Sequence, residues 1–314
     1  MRKAQVTVIV ITTGLNINLI ERLLQSLAQQ TFKEFEVIIA CETNGNVLQN
    51  LCQSILPSNR CIVIETGFWN RCRTANTAIM LAKGRYVALL EDDLVLDDKW
   101  FEFMLKSFGK YSKANVACVY SKVVNPLGSE SLARYSQNKS LKFGMKIVHT
   151  LRVHTALAIK RIPVFSLAVL CKRDVLIKAR MFDPRPEEPI VGEDYDLAIR
   201  IYKLGYKTIT CPEALAYHYS RHAIKRIQNI LRIGLKWWER LIMNEIFLFA
   251  KHIDILKFHV LAYAIYKSVF EPINVFIRLR TEFTKLLATW VYSIRGALVG
   301  LIRGALTKDL NPRR

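Results

Sequence analysis

The chain has 314 residues, 51% of them apolar and 23% charged, so it can bury a full-sized core and is too hydrophobic to be disordered. Its 46 Lys and Arg against 26 Asp and Glu give a formal charge of +20, a field that draws in nucleic acid, an anionic membrane surface or phosphorylated substrates. Its length favours one large domain plus a smaller unit over a repeat array.

In chain order, Met1-Arg2-Lys3 leads into an apolar, β-branched run, Val6–Thr12. The run is short and no small-residue cleavage site follows, so it reads as a buried strand and not as a signal peptide. Leucines at 19, 23, 24 and 27 predict a helix over 19–30, Phe35–Cys41 a second strand, and 47–56 a second helix ended by Pro57. Residues 61–66 predict a third strand, 71–82 a helix stopped by Gly84, and 86–90 a fourth strand. Strands buried on both faces with helices between them predict a parallel, doubly covered sheet, whose ligands bind beyond the carboxyl ends of the strands. There is no GxxxxGK[ST], and the first strand ends in Thr12-Thr13-Gly14 without a GxGxxG, which disfavours a P-loop or dinucleotide enzyme.

After the fourth strand the chain reads Glu91-Asp92-Asp93, with Asp97-Asp98 close behind and a helix expected near Lys99. Carboxylates at a strand end suit a hard divalent cation, or simply cap the next helix. A second acidic group, Glu193-Asp194-Tyr195-Asp196, opens a predicted helix, with Asp196 and Arg200 spaced as a helix-surface ion pair. The seven cysteines show no CxxC and no paired spacing, so mostly reduced, buried thiols are expected. A nucleic-acid binder would explain the charge but not acids at two such sites, and no Arg/aromatic RNA signature is present.

These segments together resemble the inverting family-2 glycosyltransferases of GT-A fold. The resemblance rests on Val8-Ile9-Val10-Ile11-Thr12-Thr13, on Gln30-Thr31-Phe32-Lys33-Glu34-Phe35-Glu36-Val37-Ile38, and on Asn76 followed by Gly84-Arg85-Tyr86-Val87-Ala88-Leu89-Leu90-Glu91-Asp92-Asp93. It continues through Lys172-Arg173-Asp174, Phe182-Asp183, Glu193-Asp194-Tyr195-Asp196-Leu197-Ala198-Ile199-Arg200, Gly205-Tyr206, Pro212-Glu213-Ala214 and His218. The match covers residues 6–219.

The resemblance implies an α/β nucleotide-sugar-binding domain over 1–220, with a mostly parallel central sheet flanked by helices. Residues 1–124 form its donor half, 125–162 a basic variable insert and 163–220 its acceptor half. It implies a divalent metal, Mg or Mn, held by Asp93, Glu91 and His218. Asp194 resembles the catalytic base, with Glu193 orienting the acceptor. Thr12, Thr13, Glu42, Arg73, Asn76, Glu91 and Asp92 are the implied donor contacts, with Arg71 an alternative to Arg73. The donor is a nucleotide sugar, UDP favoured over GDP or dTDP, and the acceptor a lipid-linked or glycan hydroxyl. The sequence departs from the family at Glu91, where Asp is usual, and at Cys41-Glu42, which stand where acids hold the nucleoside.

Residues 221–314 form an all-α region with 17 Lys and Arg against 6 Asp and Glu. Apolar positions at 224, 227, 231, 235, 238, 242, 246 and 249 predict a basic amphipathic helix with Trp237-Trp238 near its middle, suited to a membrane interface. The longest stretches there free of Asp, Glu, Lys and Arg are nine residues, too short to span a bilayer. Gly296, Gly300 and Gly304 are spaced for close helix contact, which also offers a surface for homo-oligomers. The expected location is peripheral, on the anionic cytoplasmic face of a membrane. The competing readings are an inactive transferase-like membrane scaffold and a processive polysaccharide synthase; the latter's Gln-x-x-Arg-Trp signature is absent.

Overall fold

The computed structural model describes residues 4–57, 59–67, 70–111, 114–124, 168–188, 190–219, 234–252, 254, 258–273 and 283–307. The basic insert and the start of the expected amphipathic helix lie outside them.

The first half alternates as the sequence dictates: β1 Val6–Thr12, α1 Ile17–Ala28, β2 Phe35–Cys41, α2 Gly45–Ile55, β3 Cys61–Glu65, α3 Arg71–Leu81 and β4 Tyr86–Glu91. Strands β3, β2, β1 and β4 pair in parallel in that order. Both faces of β1 and β4 are covered, which is why they read as mostly apolar runs without a polar alternation. The order reverses at β1, so a crevice opens between the ends of β1 and β4, where Ile11 lies beside Glu91.

Beyond this point the sheet is mixed. Short β5 Leu94–Leu96 and α4 Trp100–Lys110 precede β6 Val116–Val124 and β7 Ala168–Lys172. Strand β7 enters antiparallel between β4 and β6. After α5 Arg173–Lys178 and α6 Glu193–Lys203, the long β8 Lys207–His218 runs parallel to β6 and antiparallel to β5. Its register against β6 jumps from Cys211 to Leu215, so Pro212-Glu213-Ala214 bulge out and the strand is carried on to set His218 opposite Leu94.

Four cysteines pair, which corrects the expectation of mostly reduced thiols: Cys52–Cys61 and Cys118–Cys171 are disulfides, while Cys41, Cys72 and Cys211 are free and buried. The second bridge follows from register, because Cys118 on β6 faces Cys171 on β7 directly. A linear spacing of 53 residues gives no hint of it.

The C-terminal region contains α7 Leu235–Ala250, α8 Phe258–Ile265, which runs on as a π-helical turn to Phe270, and α9 Phe283–Leu306. The apolar face of α7 does not lie open for a membrane. Phe247, Leu248, Phe249 and Ala250 join the cluster that holds Ile9, Leu89 and Leu197 of the sheet domain. Trp238 is 1% exposed, and its indole N–H donates to Ser293 Oγ at 2.7 Å. At roughly 1.5–3 kcal/mol per buried large apolar side chain, Phe247, Leu248 and Phe249 contribute an amount comparable to a whole domain's net stability. The glycine stripe is used within the chain: a Cβ on Gly296 or Gly300 would meet the carbonyl of Glu239 or Met243 at 2.6 or 2.5 Å. Among the described residues, exposed apolar faces lie on α9, with Val291, Ile294, Leu298, Ile302 and Leu306 at helical spacing, and on α8 and its extension, with Leu261, Ile265 and Val269.

The Asp196–Arg200 pair also differs from expectation, since it is fully buried and not a surface pair. Asp196 points into the joint between α6 and the end of α7. There Lys251 Nζ reaches Asp183 Oδ2 at 2.5 Å and Asp196 Oδ1 at 2.6 Å, Arg200 Nη2 reaches Asp196 Oδ2 at 2.7 Å, and His252 Nε2 lies 2.8 Å from Asp196 Oδ1. Burial alone would raise both carboxyls; Arg185 and Lys251 around Asp183, and Arg200, Lys251 and His252 around Asp196, hold them below the usual carboxylate range.

Candidate active site

The crevice at the end of β4 is lined by Ile11, Arg71, Cys72, Glu91, Glu193 and Asp194, among others. Three elements supply its chemistry. Strand β4 delivers Glu91, and the turn after it delivers Asp92 and Asp93. The β5–β8 pairing brings His218 back to that turn, and the Tyr219 amide donates to the Asp93 carbonyl at 3.1 Å. His218 Nε2 consequently lies 3.2 Å from Asp93 Oδ1 and 3.9 Å from Glu91 Oε2. One ligand atom from each of Glu91, Asp93 and His218 falls within 4.8 Å of the others. Two carboxylates and an imidazole form an oxygen-rich donor set that fits Mg²⁺ or Mn²⁺. Burial would lower the His218 pKa, and the Asp93 and Glu91 carboxylates more than offset it, leaving it raised.

The second element is the start of α6. Gly192 precedes it with φ of 94°, a left-handed conformation that suits glycine, and lets the chain turn so that Glu193 and Asp194 open the helix at the crevice. Asp194 Oδ1 accepts from the Tyr195 amide at 2.8 Å. A helix N-terminus alone would favour the charged carboxylate. Burial opposes it, the Glu193 carboxylate adds to the effect, and together they push the Asp194 pKa up to about 8.

The third is the start of α3. Asn70 caps it, accepting from the Arg73 amide at 3.0 Å. The next residue, Arg71, bridges the two acidic groups, at 3.2 Å from Glu91 Oε1 and 3.1 Å from Glu193 Oε1. Burial works against its charge, while Glu193, Glu91 and Glu188 more than compensate and keep it protonated. Glu188, which the sequence reading does not single out, accepts from the Arg71 amide at 3.2 Å. Cys72 lines the wall as a thiol, its pKa raised by burial and then by Glu193.

Other expected donor contacts are placed differently. Arg73 is exposed on the opposite side of α3, so Arg71 and not Arg73 faces the acids. Asn76 spends both ends of its amide on the backbone of Phe182, donating to its carbonyl at 2.8 Å and accepting from its N–H at 2.9 Å, and so fastens that loop. Thr12 is buried; its hydroxyl donates to Asp92 Oδ2 at 2.5 Å and accepts from the Gly14 amide, which fixes Asp92 from β1. Thr13 and Glu42 follow β1 and β2 at the same edge, half-buried, and the Glu42 amide donates to the Thr12 carbonyl at 3.3 Å.

A family profile described as "Glycosyltransferase like family 2" matches residues 4–232. Among solved structures, the chain is similar to the mannosyltransferase PcManGT from Pyrobaculum calidifontis in complex with GDP-Man and Mn²⁺, at 18% identity and a TM-score of 0.57, over 98% of this chain and 89% of that one. It is also similar to S. aureus TarS residues 1–349 in complex with UDP-GlcNAc, at 14% identity and a TM-score of 0.50, over 92% of this chain and 90% of that one. No curated protein matches it by sequence.

Proposed function

The chain belongs to the family-2-like glycosyltransferases, and from that membership we propose that it moves a sugar from a nucleoside diphosphate to an acceptor hydroxyl with inversion, at a membrane surface. The observation that carries this reading is one crevice holding two acidic groups of different character. Glu91, Asp93 and His218 form a cluster suited to a cation, and Asp194 lies outside it, next to Glu193, which Arg71 links to Glu91.

In this reading Glu91, Asp93 and His218 hold a divalent cation, which when bound neutralises charge on the departing diphosphate. Asp194 accepts the proton of the acceptor hydroxyl as that oxygen bonds to the anomeric carbon. The bond from that carbon to the diphosphate oxygen breaks on the opposite face, its electron pair leaves with the diphosphate, and the anomeric configuration inverts. Arg71 ties Glu193 into an ion pair, and Asp194 takes the acceptor proton in its deprotonated form, which its raised pKa makes a stronger base than an ordinary carboxylate. The acceptor is a lipid-linked or glycan hydroxyl. Peripheral membrane association is supported by the exposed apolar face of α9 and the excess of basic residues in 221–314; among the described residues no helix is long and apolar enough to cross a membrane.

A thermal-shift panel of UDP-, GDP- and dTDP-sugars with and without Mn²⁺ tests the donor class. A ligand at 100 times its Kd adds about 2.7 kcal/mol to the folded state. The UDP and GDP arms carry equal weight, since the two similar structures hold UDP-GlcNAc and GDP-Man. Stabilisation by no nucleotide sugar under either condition would overturn the reading.

A further inference from the structure

The two oxygens of Glu91 face different neighbours. Oε2 faces the cation cluster, 3.9 Å from His218 Nε2, whereas Oε1 lies 3.2 Å from Arg71 Nη2. The other arm of the same guanidinium, Nη1, lies 3.1 Å from Glu193 Oε1. The space between the acids after β4 and the acids that open α6 is therefore filled by a cation that belongs to the chain itself. Its place is set by the backbone of α3: the Arg71 N–H donates to Glu188 Oε1 at 3.2 Å, and Asn70, the cap of that helix, donates to the Pro186 carbonyl at 3.0 Å. The Arg71 side chain is 31% exposed, so its charge stands in the wall of the crevice and is not sealed away.

A guanidinium in this place acts on a divalent ion in one of two ways. As an outer partner that orients a ligand it strengthens binding, and its loss costs about 10–100-fold in affinity. As a like charge beside the site it weakens binding. The geometry favours the second. Asp93 and His218 are brought together by the β5–β8 pairing and lie 3.2 Å apart, and Glu91 is fixed at the end of β4 beside Ile11. Arg71 touches one of the three ligands and divides its charge with Glu193, which is not among them. We propose that Arg71 is a resident cation that holds down the affinity of Glu91, Asp93 and His218 for Mg²⁺ or Mn²⁺, so that the divalent ion is taken up chiefly together with a negatively charged nucleoside diphosphate. This deepens the proposed function and rests on its cation site.

The test is titration of the full chain with Mn²⁺ alone, followed by the electron paramagnetic resonance signal of the free ion. Arg71→Gln removes the charge and keeps an N–H donor, and it should bind Mn²⁺ about tenfold more tightly than the parent. Arg71→Lys keeps the charge and loses the two-armed geometry, and it should stay within about threefold of the parent. Arg73→Gln, which removes the same charge from the exposed side of α3, should also stay within about threefold. Stabilisation by Mn²⁺ in thermal unfolding reads the same affinities in a variant too unstable to titrate. Unchanged or weaker binding in Arg71→Gln would make Arg71 an orienting partner and overturn the proposal, as would equal tightening in Arg71→Lys. Tight binding that survives in Arg71→Gln/Asp93→Asn would show a new site and overturn it too. Parent protein is titrated in parallel with UDP and with GDP present. If neither nucleotide makes it take up Mn²⁺, the cation site fails and the role of Arg71 with it; if one does and Arg71→Gln is not tightened, only the role of Arg71 fails.

Discussion

Asp194→Asn separates function from stability in a way that few other substitutions here can. The change keeps size and removes basicity, so transfer should fall by roughly 10²–10⁴, the usual contribution of a positioned base, while donor affinity changes little. Stability should move the other way. The folded protein holds the Asp194 proton up to about pH 8, whereas the unfolded chain releases it near the ordinary aspartate value of 3.8. Between these values unfolding releases a proton, so this group's contribution to stability falls as pH rises, by at most about 1.4 kcal/mol per pH unit. Asn does not titrate. The variant should therefore gain on the parent steadily from about pH 4 to pH 8 and keep that gain above it, with the two converging at lower pH. Urea midpoints across this range, together with donor calorimetry and product mass on the same samples, check both halves. Near-parental turnover in the variant, or donor binding lost in proportion to turnover, would refute Asp194 as the base. A stability difference that does not change with pH would refute the raised pKa and its cause.

Lys251→Met leaves Asp183 and Asp196 facing each other without their shared cation, and loss of one partner from a buried ionic cluster typically costs about 3–5 kcal/mol; chemical denaturation of the variant reads it directly. In the parent these two carboxyls titrate below the usual range, so their contribution is present above about pH 4 and is lost as pH falls through their folded values; an acid unfolding transition below that point, shifted upward in Lys251→Met, is the expected outcome. Truncation after about residue 221 removes Phe247, Leu248 and Phe249 from the main core as well as Lys251, so an aggregated or molten product is expected by near-UV circular dichroism, and a folded, cooperative one would show that the region is dispensable. Gly300→Ala forces a Cβ to 2.5 Å from the Met243 carbonyl, and an overpacking cost of about 1–3 kcal/mol should lower the Tm without altering donor binding.

The parallel half of the sheet was legible because its central strands are buried on both faces and therefore read as mostly apolar, β-branched runs, as in Val6–Thr12 and Phe35–Cys41. The proximity of Glu91, Asp93 and His218 was implied by the family resemblance, although the β8 bulge that sets it up is not visible in sequence. The choice between Arg71 and Arg73 was not legible, since residues two apart on a helix point to nearly opposite sides. A signal was present. Arg71 shares its stripe with Ala75 and Ala78, which are buried, and Arg73 shares its own with Thr77 and Met80, which are exposed. The burial of Asp196 and Arg200 depends on Lys251, more than 50 residues on, and no local pattern records such a contact. The α7 periodicity is real, but a basic amphipathic helix reads alike whether its apolar face meets lipid or the protein's own core. Here the core takes it, and the open faces are those of α8 and α9.

The most direct test of the site is calorimetric titration of the full-length protein with UDP and GDP, with and without Mn²⁺, beside Asp93→Asn. One of the two nucleotides should bind the parent in a metal-dependent manner, and Asp93→Asn should lose that metal-dependent binding while its ligand-free Tm stays within a few degrees of the parent's. Nucleotide binding of equal strength with and without metal, or unchanged in Asp93→Asn, would contradict a cation held by Glu91, Asp93 and His218.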